Sequence, residues 1–181
     1  METALKLAFV TLLCASMLIG VSFLIPPLSH AGNSFVVPQF KLQDPAGAEH
    51  SNEALTKTGA VLIVTIPNVK HGDLQGKWSR DLTKKGWPEN YPRLVFLEDI
   101  SQSSEAIRGR AIKSMKDKYK PGASTLLLMD MTGDVRRNFQ IQNDETVLLI
   151  VDKNGNVIHA EEEEPSDEGV ARVLKIAASM K

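Results

Sequence analysis

The 181-residue sequence has a single cysteine, Cys14. With one thiol the chain closes no internal disulfide and offers no cysteine-based metal site. Net charge is also small, because 21 basic side chains nearly cancel 22 acidic ones and leave −1. No global field draws the chain to nucleic acid or to an anionic membrane, so either role needs a local patch. Gly-x-Ser-x-Gly, the phosphate-cradling P-loop and the Gly-rich dinucleotide fingerprint are all missing. Serine-hydrolase, nucleotide-dependent and Rossmann readings therefore have no residues to act through. Internal repeats are missing too, and the one biased segment is the acidic run at residues 161–164. What is present is apolar side chain, 43% beside 24% charged residues, enough to bury an ordinary core.

Residues 7–25 (LAFVTLLCASMLIGVSFLI) are 19 uncharged positions behind Lys6 and ahead of Pro26-Pro27. The helix-breaking proline pair and Ser29-His30-Ala31, with small residues where an A-x-A signal peptidase needs them, predict an export signal cleaved after Ala31. The alternative is an uncleaved membrane anchor, since roughly 20 apolar residues span a bilayer. Cys14 lies inside this run, behind Leu13 where a lipoprotein site needs a small residue, and reads as part of the signal core. Residues 32–181 then form a mature chain of 150 residues, one domain by length, without any cysteine.

Along that chain, residues 34–42 (SFVVPQFKL) read as an extended opening, and Asp44-Pro45-Ala46-Gly47 as a turn. A short polar stretch leads to residues 60–66, a continuous β-branched run typical of a strand buried on both faces. A helix is predicted over 71–85, with Leu74, Trp78 and Leu82 on one face and Gly86 to stop it. Residues 93–97 form a second strand candidate. A helix over 105–120 carries Ile107, Ala111, Ile112, Met115 and Tyr119 as its apolar stripe, ahead of Pro121-Gly122. Residues 125–129 are a third apolar run, followed by a short helix over 133–139. Residues 146–151 and 157–159 flank Lys153-Asn154-Gly155, a hairpin signal. Ser166 caps a last helix with Asp167 and Glu168 in its first turn and Val170, Val173, Leu174 and Ala177 on one face. Parallel crossovers ending in a hairpin make this an α/β chain.

The stretches FVVPQFKLQDPAG, GAVLIVTIPN and ETVLLIVDKNGNVI, in that order, resemble the opening, the first central strand and the closing hairpin of the thioredoxin-like superfamily, in its redoxin and TlpA-type branch. The resemblance runs from Phe35 to the C-terminus. It implies a three-layer α/β/α sandwich with a mixed central sheet and an N-terminal extension. Redox members place Cys-x-x-Cys just after the central strand, where a helix amino terminus lowers a thiol pKa. Aligning VLIVTIPNVKHGD on that pattern puts Lys70 and Asp73 at the two cysteine positions. A peroxiredoxin-style alignment through Pro67 puts Leu74 near the peroxidatic position, and the family's cis-proline position falls on Glu145. None of these residues exchanges thiols. The export signal, the cysteine-free mature chain and DETVLLIVDKNGNVI are similar to the small periplasmic YtfJ-type family, a resemblance that implies fold and location rather than activity.

Lys70, His71 and Asp73 sit where a redoxin keeps its active site, at the carboxyl edge of a strand and the start of a helix. Ligands of open α/β sheets bind at that edge, and a helix start favours anions. On a functional reading Lys70 and the helix amides hold a carboxylate or phosphate while His71 exchanges a proton. On the plain reading Asp73 caps the helix and the other two are solvated. His50, His71 and His159 lack metal-ligand spacing, and residues 161–164 lack a glycine-punctuated loop and read as a solvated linker, so neither metal nor cofactor is expected. On the 105–120 helix six cations (Arg108, Arg110, Lys113, Lys116, Lys118, Lys120) against Glu105 and Asp117 leave +4. Arg110, Lys113, Lys116 and Lys120 are the candidate surface for an acidic partner or lipid head groups, against an ordinary solvated face. The expected function is an exported, non-catalytic binding or accessory module with an unknown protein partner and no nucleic acid, and thiol-disulfide oxidoreductase or peroxidase activity is not expected. Membrane contact follows only if residues 7–25 stay in place. The alternatives are an enzyme with a cysteine-free site at Lys70, His71 and Asp73, and a tethered subunit of a membrane complex.

Overall fold

The computed structural model describes residues 35–57, 59–65, 72–87, 93–120, 125–141, 146–162 and 164–180. The readings made on residues 7–25, Ala31, Lys70, His71 and Glu145 lie outside the described residues. Strand β4 (Ala60–Thr65) sends Leu62 and Val64 to one face of the sheet and Val61 to the other, all buried. β7 (Val147–Val151) does the same, with Leu148 and Ile150 opposite Val147, Leu149 and Val151. Continuous apolar runs of this kind fold only where both faces are covered.

β5 (Arg93–Asp99) and β6 (Thr125–Asp130) extend β4 in parallel, while β7 pairs with β4 antiparallel. With β1 (Phe35–Val36), β2 (Lys41–Gln43), β3 (Glu49–Ser51) and β8 (Asn156–Glu161), the eight-stranded sheet runs β1-β8-β7-β4-β5-β6-β2-β3. Helices α2 (Gly72–Lys84) and α5 (Asp167–Ala178) cover the face of Val61 and Leu148 through Trp78, Leu82, Val170 and Val173. The opposite face is covered by α1 (Asn52–Thr56) and α4 (Asp134–Asn138), with Leu55, Val135, Phe139 and Ile141 against Leu62 and Leu149. α3 (Glu105–Lys118) joins β5 to β6 beside Thr125 and Leu127, on the α2 face, as right-handed crossovers in one direction require. The architecture is the expected three-layer α/β/α sandwich on a mixed sheet.

Local chemistry sets the ends of these elements. α2 is followed by Gly86 at φ +92°, and the β7–β8 turn by Gly155 at φ +82°, both in the left-handed region that suits glycine. Ser166 Oγ accepts from the Gly169 amide at 3.0 Å and so caps α5. The acidic run is not a solvated linker: Glu161 ends β8 and accepts both Arg172 Nε and Nη2, at 3.0 and 3.1 Å, tying β8 to α5. Glu164 accepts Lys77 Nζ at 2.7 Å.

Three further expectations change. The opening segment divides at Pro38, which lacks an N–H for a ladder, and the chain passes from β1 at one side of the sheet to β2 at the other. The polar stretch after the Asp44 turn holds β3, paired with β2, and α1, whose N-cap Ser51 accepts from Ala54 at 3.3 Å. The stripe on α3 is only half-buried: the helix contains no buried residue, and Ile107 is 51% exposed. The reason is the sheet beneath it, where β6 meets β2 through one bridge, Gln43 with Met129, and offers a narrow bed.

Candidate functional site

The carboxyl ends of β4, β5 and β6 share one edge of the sheet, the edge at which open α/β sheets bind ligands. Asp73 lies there, exposed in the first turn of α2, whereas Leu74 is half-buried and chemically inert. The structure therefore places one member of the predicted Lys70, His71 and Asp73 group. Among the described residues, the same edge carries three buried side-chain atoms without a hydrogen-bond partner: Gln75 Nε2 on α2, Thr146 Oγ1, next to Val147, which pairs with Val64, and Arg108 Nε, whose Nη2 donates to the Ser101 and Ser103 carbonyls after β5. Buried polar groups are normally satisfied, and an exception marks a strained or ligand-serving position.

Two carboxylates at this edge, cross-strand neighbours Asp99 and Asp130, have the burial expected of acid–base groups. Their partners show otherwise. Asp130 accepts the amides of Thr132, Gly133 and Val135 at 3.1, 2.8 and 2.8 Å, and so anchors the start of α4. Asp99 accepts the Ser101 amide and hydroxyl at 2.9 and 2.6 Å and Arg136 Nε at 2.9 Å. Gly133, at φ +74°, has Ser101 Oγ where a Cβ would come within 2.6 Å of it, so the turn between the two carboxylates needs glycine on both counts. These groups are occupied in holding the loops.

A third buried carboxylate, Asp44, ties the β2–β3 hairpin to the end of α3. It accepts the Ala46 and Ala48 amides at 2.9 Å each and the Tyr119 hydroxyl at 2.9 Å, and His50 Nε2 lies 3.2 Å from it. Burial pushes its carboxyl upward, but the hydrogen bonds from Tyr119, His50 and the two amides outweigh it and hold the pKa below the ordinary 3.8. Burial, and then the bond to Asp44, raise the Tyr119 hydroxyl. The turn signal at Asp44-Pro45 was in the sequence, but its link to Tyr119, 75 residues away, was not.

Beside this hub two grooves flank α3. One, of about 450 Å³, lies between the Asp44 turn, Met129, Met131 and the Ile112 and Lys116 side of α3. The other, of about 380 Å³, lies between Met115, Lys118 and Tyr119 and the β6 residues Thr125 and Leu127. Arg110, Lys113, Lys116 and Lys120 are all exposed, as the sequence predicted. Among the described residues, no group of three or more His, Cys, Asp or Glu side chains is placed to hold a metal ion, and no helix is long and apolar enough to cross a membrane.

Residues 98–180 match a family described as a bacterial protein of unknown function (YtfJ_HI0045). None of the curated proteins matches the chain. Among solved structures, BsSco, a member of the Sco family of cytochrome c oxidase assembly proteins, superposes with a TM-score of 0.58 at 16% identity, over 82% of this chain and 96% of its own. A putative thiol:disulfide interchange protein DsbE from Chlorobium tepidum gives 0.57 at 15% identity, over 81% and 96%. A thio-disulfide isomerase from Thermus thermophilus gives 0.54 at 15% identity, over 84% and 97%. The fold is thioredoxin-like. In a thioredoxin-like domain the reactive thiols belong after the central strand, at the start of the following helix, which here means after β4 and at the start of α2. This chain has no cysteine there, since Cys14 is its only one. The thioredoxin-like frame is thus kept without the redox pair, and the similarity to the YtfJ-type family falls on its closing half.

Proposed function

We propose that this chain is an exported, thioredoxin-like accessory module that recognises a protein partner and performs no thiol chemistry. The observation that carries the reading is the position of the single cysteine: Cys14 lies in the apolar leader, and the α2 start holds Asp73 where a thiol would be. A carboxylate neither attacks a disulfide nor leaves as a thiolate. Export is read from residues 7–25 and the Ala31 cleavage motif, and the mature chain needs no disulfide in an oxidising compartment.

The reading is tested by recovering the exported protein, sequencing its amino terminus and assaying dithiothreitol-driven insulin reduction. The expected result is a chain beginning at Gly32 that leaves the rate at that of dithiothreitol alone. Reduction above that background overturns the non-redox assignment, and an intact leader in the membrane fraction turns the soluble module into a tethered one.

A further inference from the structure

α3 differs from the other long helices in two independent ways. It has no buried residue, whereas α2 and α5 bury Trp78, Leu82, Val170 and Val173. It also takes no part in any ion pair found among the described residues. Elsewhere on the surface Lys41, Lys77, Lys84, Lys85, Arg137 and Arg172 each have a carboxylate partner. Residues 105–120 carry +4 in a chain of net −1, so the remainder carries −5. At 100° per residue Arg110 and Lys113 fall 100° or more from the half-buried Ile112, Met115 and Tyr119, Lys116 stands beside Ile112 at the rim of the first groove, and Lys120 is exposed just past the helix end.

We infer that the outward face of α3, with the two grooves beside it, is a docking surface for an acidic polypeptide segment of the partner, a deepening that rests on the binding-module reading above. Charge complementarity selects the sign: four exposed cations without carboxylate partners among the described residues steer and align a segment rich in Asp and Glu. The grooves supply the apolar component. Met129 and Met131 line one, where Lys41 and Lys116 stand beside three carboxylates already engaged within the fold (Asp44, Glu49 and Asp130), and Met115 and Leu127 line the other with Lys118 and Lys120. Methionine surfaces adapt to side chains of different shape. A bilayer is the poorer occupant. A helix that lies in a membrane turns its apolar stripe to the lipid, whereas α3 turns that stripe to the sheet, and a plane of head groups cannot fill concave sites.

The test uses the exported protein and a fluorescein-labelled peptide alternating Glu with Phe and Leu, with a Lys-for-Glu peptide as control. Binding of the acidic peptide is expected to weaken steeply with salt. It should fall at least about tenfold in the variant R110E/K113E/K116E/K120E, and a few-fold in M131Q, but not in K153E on the distant β7–β8 turn. Circular dichroism melts check that each variant stays folded, as exposed positions allow. Failure of the acidic peptide to bind, or binding unchanged by the α3 reversal, overturns the proposal. Binding of phosphatidylglycerol-containing vesicles in place of the peptide, lost in the same variant, overturns it in favour of a membrane surface. Either failure leaves the insulin assay untouched, so the non-redox reading stands or falls separately.

Discussion

At the scale of single residues, the buried polar groups of this domain divide into satisfied and unsatisfied. Asp44, Asp99 and Asp130 each accept three or more hydrogen bonds and serve the loops around them. Gln75 is 7% exposed, and among the described residues its Nε2 has no partner. Its burial was legible in principle, since it precedes Trp78 by three and Leu82 by seven and so shares their face, but its missing partner is a property of three-dimensional surroundings. Leaving a donor dry costs free energy that an apolar isostere does not incur. Gln75→Met is therefore expected to stabilise the fold by about 1 kcal/mol, a rise of about 3 °C in Tm, read by thermal circular dichroism. A loss of stability would show that the amide is satisfied in solution.

At the scale of elements, the sequence exposed periodicity but not depth. α2, α5 and the apolar strands were readable because their patterns match their burial, and Gly86, Gly155 and Ser166 mark three boundaries correctly. β3 and α1 were invisible: three polar strand residues and a five-residue helix carry no period, and only pairing with β2 and the Ser51 cap define them. α3 was found with Ala111, Ile112, Met115 and Tyr119 correctly on its inner side but with Ile107 wrongly among them and the depth overestimated, because depth depends on a sheet edge that no local pattern reports. A helix with half-buried contacts opens more readily than one seated on a full sheet. Native-state hydrogen exchange should therefore release α3 amides before those of α2, α5 and β7. Ile107→Ala, at an exposed position, should change stability by less than about 0.5 kcal/mol. Protection of α3 equal to that of β7 would contradict the loose seating on which both grooves depend.

At the scale of the molecule, one sheet couples two cores. The strands that bury Leu62, Leu149 and Val151 on one face bury Val61, Leu148 and Ile150 on the other, so neither face can unfold while the other keeps its strands. The runs themselves told of two-sided burial, but strand order did not, since the chain crosses the whole sheet between β1 and β2. The coupling makes a definite prediction for unfolding. Tryptophan fluorescence reports the α2 face through the buried Trp78, while far-UV circular dichroism reports both faces, and the two transitions should coincide. Leu149→Ala, on the face away from Trp78, should lower both together by about 3 kcal/mol, or about 10 °C. A reductant should move neither curve, because a chain with one cysteine has no internal disulfide to contribute to its stability. If the fluorescence curve stayed in place in Leu149→Ala while the dichroism curve fell, the faces would be separate units and the sheet would not transmit between them. A coincident shift instead makes the sheet the single structural unit on which α3 is mounted, so that local opening of α3 removes its surface and the grooves beside it without loosening either core.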